Sequence, residues 1–383
     1  EFGDRLHCVV GEAEHIIDEV IADMQAGRLR RVYEASGRPD ISLAPIPRWD
    51  LIRAKYYVSM SAQFSRGCPY NCEFCDIIVM NGRVPRTKSP EQMLAELDAI
   101  NAFGWKGPVF IVDDNFIGNK RRVKEFLRAL VEWRERTRAR MTFLTEASVN
   151  LADDQELLDL MVRAGFTRVF LGLETPVPSS LEECHKVQNT RCDLAEAVRT
   201  IQRAGLEVMG GFIVGFDNDP EDIFELQLDF IQKTGIVTAM VGLLTALPQT
   251  QLYQRLMREG RLRQEATGNN TDAVLNFEPK LDREFLINGY RNLMRKLYEP
   301  DSYYQRALTF LSEYTPRGPK MPIGWVDAKA FLKSIWWIGV WKSGRIAYWK
   351  FLTQTLLHHR NKLALAIKLA VNGYHFRTIA ETL

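Results

Sequence analysis

The feature that most restricts the fold of this chain is the alternation of short apolar runs with amphipathic stretches between Tyr57 and about residue 250. The apolar runs lack polar alternation, as parallel strands buried on both faces do. They predict six strands, at 58–65, 108–112, 141–145, 168–173, 208–214 and 238–244, with helices between them at 90–103, 121–138, 155–164, 193–204 and 220–233. This order predicts an α/β fold, and periodicity alone leaves a barrel and a doubly wound sheet as alternatives.

Composition excludes several classes of protein. With 46% hydrophobic residues in 383, the chain can bury a sizeable core. Its formal net charge is only +2, so no nucleic-acid partner is expected. No apolar run approaches the roughly 18–20 residues that span a bilayer, and six cysteines are too few for a disulfide framework. A cytoplasmic protein is therefore expected.

Three of the six cysteines lie within eight residues, directly after the first predicted strand. Three thiolates, Cys68, Cys72 and Cys75, without a fourth nearby predict an iron–sulfur cluster that keeps one iron open to a small molecule. A structural zinc site would need a fourth ligand, and the other cysteines form no second Cys-x-x-Cys pair, so zinc would require folding to bring a distant ligand in.

The spacing Cys-x3-Cys-x2-Cys, with Phe74 before the last cysteine, resembles the radical S-adenosylmethionine (SAM) superfamily. The resemblance implies a partial (β/α)6 TIM-like barrel, with the cluster loop after its first strand. It also implies that the three thiolates hold a 4Fe-4S cluster whose fourth iron is chelated by SAM. Reduction, by a donor such as flavodoxin or ferredoxin, then yields a 5′-deoxyadenosyl radical, so no catalytic residue beyond the cluster and SAM is expected.

In barrels of this kind, the residues at the carboxyl end of each strand line the active site. Asp113, Asp114 and Asn115 follow the second strand, where the superfamily places the segment that binds the SAM amine. Glu146 and Glu174 end the next two strands, although Glu174 could instead cap the following turn. The resemblance assigns to SAM binding the residues Phe74, Asp113, Asp114, Asn115, Glu146, Glu174, Lys186 and Gly215.

Three longer stretches, 75–80, 110–120 and 211–219, resemble the group of radical SAM proteins with a cobalamin-binding domain, which includes the hopanoid methylases. Residues 10–14 resemble the closing segment of that domain. We therefore expect a remnant of a preceding domain plus a linker at 1–50, the barrel at 51–278, and a helical C-terminal region at 279–383. Kinship implies cobalamin as a further cofactor, although the cobalamin-ligating Asp-x-His-x-x-Gly pattern is not in this sequence.

The resemblance implies a methyltransferase acting on an unactivated carbon of a lipid-like or natural-product small molecule. Two alternatives stay open: a radical SAM enzyme that performs oxidative or rearrangement chemistry, and an iron–sulfur electron-transfer module without catalysis. Dependence on methylcobalamin would distinguish a methyltransferase from the first alternative. The second alternative would bind a cluster without cleaving SAM.

The tail at 325–383 is basic and rich in tryptophan. Two interpretations are possible: the tryptophans pack on the barrel, or the tail covers the barrel mouth and makes peripheral contact with a membrane surface. The residues concerned are Trp336, Trp337, Trp341 and Trp349, with Lys333, Lys342, Arg345 and Lys350.

Overall fold

The computed structural model describes residues 6–264, 266, 273–317 and 325–382. It begins with a small strand–helix–strand unit, β1 (Cys8–Val10), α1 (Ile17–Gln25) and β2 (Val32–Glu34), whose two strands pair in parallel. Glu12, in the turn after β1, lies 2.6 Å from Nη1 of Arg66 and 2.5 Å from Nη2 of Arg86. These ion pairs attach the N-terminal unit to the central domain. Short 3₁₀ turns then connect it to the first barrel strand, in the segment predicted as a linker.

The central domain follows the predicted alternation of strands and helices. Its elements are β3 (Met60–Ala62), β4 (Ser65–Arg66), α2 (Ile77–Met80), β5 (Arg86–Thr87), α3 (Pro90–Ala102), β6 (Pro108–Ile111), α4 (Lys120–Thr137), β7 (Thr142–Ala147), α5 (Gln155–Ala164), β8 (Phe166–Glu174), α6 (Pro178–Glu183), α7 (Leu194–Ala204), β9 (Glu207–Val214), α8 (Ile223–Thr234) and β10 (Thr238–Leu243).

Six of these strands form one parallel sheet in the order β3-β6-β7-β8-β9-β10. The spatial order repeats the chain order and contains no switch point, which a doubly wound sheet would require. The predicted partial (β/α)6 barrel is therefore confirmed, and the doubly wound alternative is wrong. Strands β3 and β10 are its two edges.

The first predicted strand, 58–65, divides into two. β3 belongs to the barrel, whereas β4 leaves it and pairs antiparallel with β5. Asp113 fastens this bend, because its carboxylate accepts the backbone N–H of Phe64 at 2.7 Å and the hydroxyl of Ser65 at 2.6 Å. The β4–β5 pair encloses the cysteine loop and presents it at the carboxyl ends of the barrel strands.

The two faces of the sheet differ in their packing. On the outer face, residues such as Val109, Phe143 and Val169 are fully buried against the helices. The inner face is open and carries both apolar and polar side chains, and we call the space it surrounds the lumen. Its apolar side chains alternate with the buried ones and stay partly exposed: Phe110, Leu144, Phe170, Met209, Ile213 and Met240, of which Met240 is 49% exposed. Thr142, Glu146 and Arg168 are the polar residues of the same alternation on β7 and β8.

The C-terminal region is helical: α9 (Gln251–Arg258), α10 (Arg283–Tyr298), α11 (Pro300–Glu313), α12 (Trp325–Trp336), a π-helical turn (Trp337–Trp341), α13 (Arg345–His358) and α14 (Leu363–Ala380). Helix α9 lies at the cysteine end of the barrel, where the N–H of Leu252 donates to the carbonyl of Glu73 at 2.9 Å. None of the helices among the described residues is long and apolar enough to cross a bilayer.

Helix α10 runs from the Gly215 turn, near Leu286, to the opposite end of the barrel, where the later helices pack. The hydroxyl of Tyr298 donates to the carbonyl of Ala239 at 2.6 Å, and Arg306 donates to the carbonyl of Val237 at 3.4 Å, both at the amino end of β10. Helices α13 and α14 pack on this layer through α10 and α11. The described part of the tail therefore lies away from the barrel mouth, which contradicts the interpretation that the tail covers it. Packing of the tryptophans on the barrel is wrong as well for Trp336 and Trp341, which are 60% and 66% exposed.

Candidate active site

The cysteine loop occupies the turn between β4 and α2. The N–H of Cys68 donates to the carbonyl of Gly82 at 3.1 Å, and that of Cys75 donates to Cys72 at 3.2 Å, so the backbone holds both ends of the loop. Burial, together with the nearby Cys72 and Cys68, raises the pKa of Cys75 to about 12. The three thiols are therefore close enough to act on one another electrostatically. All six cysteines are free thiols.

Two side-chain amides point at two of these sulfurs. Nδ2 of Asn115 lies 3.8 Å from Sγ of Cys68, and Nε2 of Gln188 lies 3.9 Å from Sγ of Cys72. Gln188 is buried, and its Oε1 has no hydrogen-bond partner in the described structure. The sequence analysis missed Gln188, although it lies only two residues after Lys186 in the same loop.

Within the described residues, no three or more His, Cys, Asp or Glu side chains are close enough to hold a single metal ion. A 4Fe-4S cluster is larger than one ion and is bound by thiolates that stand further apart. The donor set fits such a cluster, because three free thiols lie in one loop and amide N–H groups approach two of the sulfurs, as hydrogen bonds to cluster ligands do.

Glu174 and Lys186 form a buried ion pair beside the cysteine loop. The Nζ of Lys186 lies 2.6 Å from Oε1 of Glu174 and 5.8 Å from the centre of the Phe74 ring. Burial alone would lower the pKa of Lys186, but the carboxylate of Glu174 and the thiols of Cys72 and Cys75 outweigh it and raise that pKa. The structure thus brings together three residues predicted from separate parts of the sequence.

The backbone at the end of β8 is strained. Glu174 has φ +63°, an uncommon value for a residue other than glycine, and the pairing of β8 with β9 shifts register between Gly172 and Glu174. The bend directs the carboxylate back over Gly172. A Cβ at position 172 would lie 2.5 Å from Oε1 of Glu174 and 2.9 Å from Nζ of Lys186, so only glycine leaves room for the pair.

Glu146, on β7, has a half-buried carboxylate that makes no hydrogen bond to the described part of the protein. Burial raises its pKa, and the neighbouring charge of Asp114 raises it further. A half-buried carboxylate without a protein hydrogen bond is available to a cationic or hydroxyl-bearing ligand.

The three polar residues after β6 have separate tasks. Asp113 is 1% exposed, and both of its oxygens are occupied by the β3–β4 bend. Oδ2 of Asp114 accepts the N–H of Gly67 at 2.8 Å and the amide of Asn81 at 2.9 Å, so it supports the cysteine loop. Only Asn115 reaches a cysteine sulfur. The structure therefore places Asp113 behind the loop, away from the position expected for a SAM contact.

Gly215 begins the turn after β9, with φ +108°, a conformation that favours glycine. Its N–H and that of Phe216 both donate to Oδ2 of Asp219, at 2.8 and 3.1 Å, and the Phe216 ring lies 6.2 Å from that of Phe74. Burial raises the pKa of Asp219 to about 6. This aspartate, which the sequence analysis did not select, shapes the Gly215 turn.

Two family models match the chain. The radical SAM superfamily matches residues 62–231, and a domain of unknown function (DUF4070) matches residues 250–383. The first match contains the cysteine loop and the strand ends described above, up to Gly215. The second begins just before α9.

Curated relatives extend over most of the chain. An uncharacterized methyltransferase of Synechocystis is 43% identical over 97% of this chain and 70% of its own length. The hopanoid C-2 methylase of Rhodopseudomonas palustris is 36% identical over 92% of this chain and 68% of its own length. The chain therefore spans about two thirds of the length of these relatives.

Solved structures share the fold. The radical SAM methyltransferase TsrM of Kitasatospora setae, solved with cobalamin and a 4Fe-4S cluster, superposes with a TM-score of 0.63 at 14% identity, covering 96% of this chain and 77% of that one. The cobalamin-dependent radical SAM enzyme OxsB gives a TM-score of 0.58 at 15% identity, over 97% of this chain and 64% of that one.

Radical SAM proteins use a 4Fe-4S cluster and SAM, and these are the cofactors of this chain. The electron-transfer module without catalysis is thereby excluded. Because the similarity to methyltransferases reaches 92–97% of the sequence, from the N-terminal unit through the C-terminal helices, the chain belongs to the radical SAM methyltransferase family.

Proposed function

We propose that this protein transfers a methyl group from SAM to an unactivated carbon of a lipid-like small molecule. The observation that carries this proposal is the open lumen below the cysteine loop. Most of its wall is aromatic and aliphatic, from Phe110 and Leu144 on one side to Met209 and Met240 on the other, while Arg168 adds a charge. An apolar body placed against the apolar side chains would bury apolar surface at about 25 cal/mol per Å².

Cys68, Cys72 and Cys75 are the proposed ligands of the cluster, with Asn115 and Gln188 as hydrogen-bond donors to its thiolates. SAM would then lie above the lumen, between Glu146 on β7 and Lys186 on the loop after α6. The carboxylate of Glu146 suits an ammonium or ribose hydroxyl, whereas the Lys186 cation suits the carboxylate of SAM. Phe74 and the Gly215 turn offer an aromatic edge and an open backbone for the adenine ring. Asp114 acts through the cysteine loop, and Asp113 is not among the proposed contacts.

The bound cluster supplies the electron that cleaves SAM, and the protein supplies position and exclusion of water. Burial of Glu174, Lys186 and Gln188 keeps the cysteine loop dry, which preserves a reactive radical for the substrate. A small electron-transfer protein such as flavodoxin or ferredoxin would supply the electron. We further propose cobalamin as the methyl carrier, since the TsrM and OxsB structures hold it; no residue of this chain is assigned to it.

The test uses anaerobically reconstituted protein with dithionite and SAM carrying a deuterated methyl group. A hopanoid is the first acceptor to try, because a relative is named hopanoid C-2 methylase. Mass spectrometry should find 5′-deoxyadenosine and a product that gains the labelled methyl group only when cobalamin is present, supplied without a methyl group as hydroxocobalamin. An unmethylated but oxidised or rearranged product would favour the alternative radical SAM chemistry.

A lumen variant tests the substrate class separately. Met240→Glu places a charge among the apolar walls and should abolish methyl transfer, while leaving the cluster and uncoupled SAM cleavage in place. Met257→Glu, at a 56% exposed methionine on α9, is the matched control. Equal methyl transfer by both variants would contradict an apolar substrate in the lumen.

We also propose peripheral contact with an anionic membrane through the C-terminal region. The tryptophan patch, which comprises Leu332, Trp336, Trp337, Val340 and Trp341, consists of side chains that are 45–66% exposed. Residues 325–383 carry nine Lys and Arg against two Asp and Glu, although the whole chain is nearly neutral. Exposed indole rings beside basic residues suit a lipid interface. Since the patch lies beyond the helices at the base of the barrel, such contact would anchor the protein and would not deliver substrate to the cysteine end.

Vesicle sedimentation tests this contact. Vesicles with phosphatidylglycerol should bind the protein in a salt-sensitive manner, and pure phosphatidylcholine vesicles should bind it weakly. Trp336→Ser with Trp341→Ser should abolish binding, whereas Leu357→Ser, at a 72% exposed position on α13, should not. Absence of binding to anionic vesicles by the unaltered protein would remove this part of the proposal.

A further inference from the structure

A single arginine on α9 holds the cysteine loop by two parallel bonds. Nε and Nη2 of Arg255 lie 2.6 and 3.0 Å from the two carboxylate oxygens of Glu73, the residue between Cys72 and Phe74. The side chain of Glu73 is only 9% exposed. Around this pair, the backbone of Glu73 donates to the carbonyl of Cys184 at 3.0 Å and accepts the N–H of Leu252 at 2.9 Å. The loop is thus fixed at Glu73 in both backbone and side chain.

The same guanidinium also binds the turn after β9. Nη1 of Arg255 lies 2.8 Å from Oδ2 of Asp217, which Arg261 binds from the other side at 2.6 and 2.8 Å. Although burial opposes it, hydrogen bonds from Arg261 and Arg255 lower the pKa of Asp217 to about 2. Asp217 is therefore an anion under all working conditions, two residues beyond Gly215.

Glu183 completes this arrangement from the end of α6. Its two oxygens accept the backbone N–H groups of Asp217 and Asn218 at 3.0 and 2.8 Å, and Nη2 of Arg255 lies 3.5 Å away. Besides Glu259 of its own helix, at 3.6 Å, this cation therefore meets the carboxylates of Glu73, Asp217 and Glu183, which come from three different segments of the barrel. Arg255 itself comes from the region matched by the domain of unknown function.

We infer that Arg255 is a positioning residue through which the C-terminal domain aligns SAM with the cluster: it sets the distance between the cysteine loop and the Gly215 turn. The planar guanidinium binds both carboxylate oxygens of Glu73 and, at the same time, one oxygen of Asp217. An ammonium cannot reproduce this geometry. Loss of the fork would let the two segments separate, and a shift of about 1 Å is enough to impair alignment of reacting groups. This assigns a role to the first helix of the C-terminal domain.

The inference rests on SAM binding between these two segments, as proposed above, and it is tested without any methyl acceptor. Arg255→Lys keeps the charge and removes the fork, Arg255→Met removes both, and Arg258→Met is the control at an exposed arginine on the same helix. The readouts are amide hydrogen exchange of the protein without cofactors, and the KM for SAM and kcat of uncoupled SAM cleavage after reconstitution.

In Arg255→Lys, hydrogen exchange should accelerate at the N–H groups of Glu73 and Leu252, and the KM for SAM should rise about tenfold, with the urea midpoint close to that of the unaltered protein. Arg255→Met should show a larger rise. The KM for SAM should rise no more in Glu73→Gln combined with Arg255→Met than in Arg255→Met alone, since the two changes break the same contact. Arg258→Met should match the unaltered protein.

An unchanged KM in Arg255→Lys, or a lower urea midpoint with unchanged KM in Arg255→Met, would show that the contacts only support the fold and would overturn the inference. Failure of methyl transfer to lipid acceptors would not overturn the inference, because the product measured in this test is 5′-deoxyadenosine. Additive effects of the Glu73 and Arg255 changes would also contradict it.

Discussion

The ammonium of Lys186 lies 2.6 Å from the carboxylate of Glu174, and both are shielded from solvent next to Cys72. The pair joins the end of β8 to the loop after α6, and the ring of Phe74 lies beside it. Its geometry depends on the left-handed backbone of Glu174 and on the missing side chain at Gly172. Backbone strain of this kind persists only when the surrounding contacts hold the residue in place, and it is common at functional sites.

Lys186→Met should leave Glu174 as an unpaired buried carboxylate and lower the free energy of unfolding by about 3 kcal/mol. Adding Glu174→Gln should restore most of that stability, because the uncompensated charge is gone. Affinity for SAM, measured by calorimetry on the reconstituted protein, should stay low in both variants. Recovery of SAM affinity in the double variant would show that the pair has only a structural task.

Much of this site could be predicted from the sequence, because the motif residues lie at strand ends and parallel strands end at the same edge. The positions of Glu146, Glu174 and Gly215 followed from that rule. The task of Asp113 did not, since the bend between β3 and β4 depends on a strand break inside one apolar run. Gln188 and Arg255 were missed for another reason: Cys72 and Glu73, their partners, lie 116 and 182 residues away along the chain, in contacts that only the folded chain creates. Asp219 was overlooked although the N–H groups that it accepts lie only three and four residues earlier.

Replacing Cys68, Cys72 or Cys75 by alanine should abolish the visible absorbance of the reconstituted cluster. Cys184 is a stringent control, because its thiol is buried and lies close enough to Cys72 that burial, Glu174 and Cys72 together raise the pKa of Cys184. Cys184→Ala and the more distant Cys192→Ala should both keep the absorbance and the iron content. Loss of the cluster in Cys184→Ala would mean that the cluster has a fourth protein ligand and no open iron.

Gln188→Leu should make the cluster harder to reduce. The amide of Gln188 approaches Sγ of Cys72 at 3.9 Å, and hydrogen bonds to cluster sulfurs raise the reduction potential by stabilising the extra negative charge. Titration followed by electron paramagnetic resonance should find a more negative midpoint potential than in the unaltered protein. Gln155→Leu, at an exposed position on α5, is the control. An unchanged potential in Gln188→Leu would place its amide outside the reach of the bound cluster.

Asp113 makes the stability of the protein depend on pH in a defined direction. Burial raises its pKa to about 7 from 3.8, although the hydroxyl of Ser65 and the N–H groups there oppose the shift. The folded protein therefore favours the protonated acid: its stabilising contribution is complete below about pH 4 and is lost as the pH rises through 7.

Asparagine at this position has nearly the same shape and does not ionise, so Asp113→Asn should avoid that loss. Urea unfolding should show the variant gaining stability relative to the unaltered protein between pH 4 and pH 8, by an amount on the order of a few kcal/mol, since one pKa unit corresponds to about 1.4 kcal/mol. Asp159→Asn, at an exposed aspartate on α5, should show no such trend. If the difference between Asp113→Asn and the unaltered protein instead shrinks as the pH rises, the carboxylate is stabilised as an anion by the bonds from Phe64 and Ser65, and the bend between β3 and β4 depends on that charge.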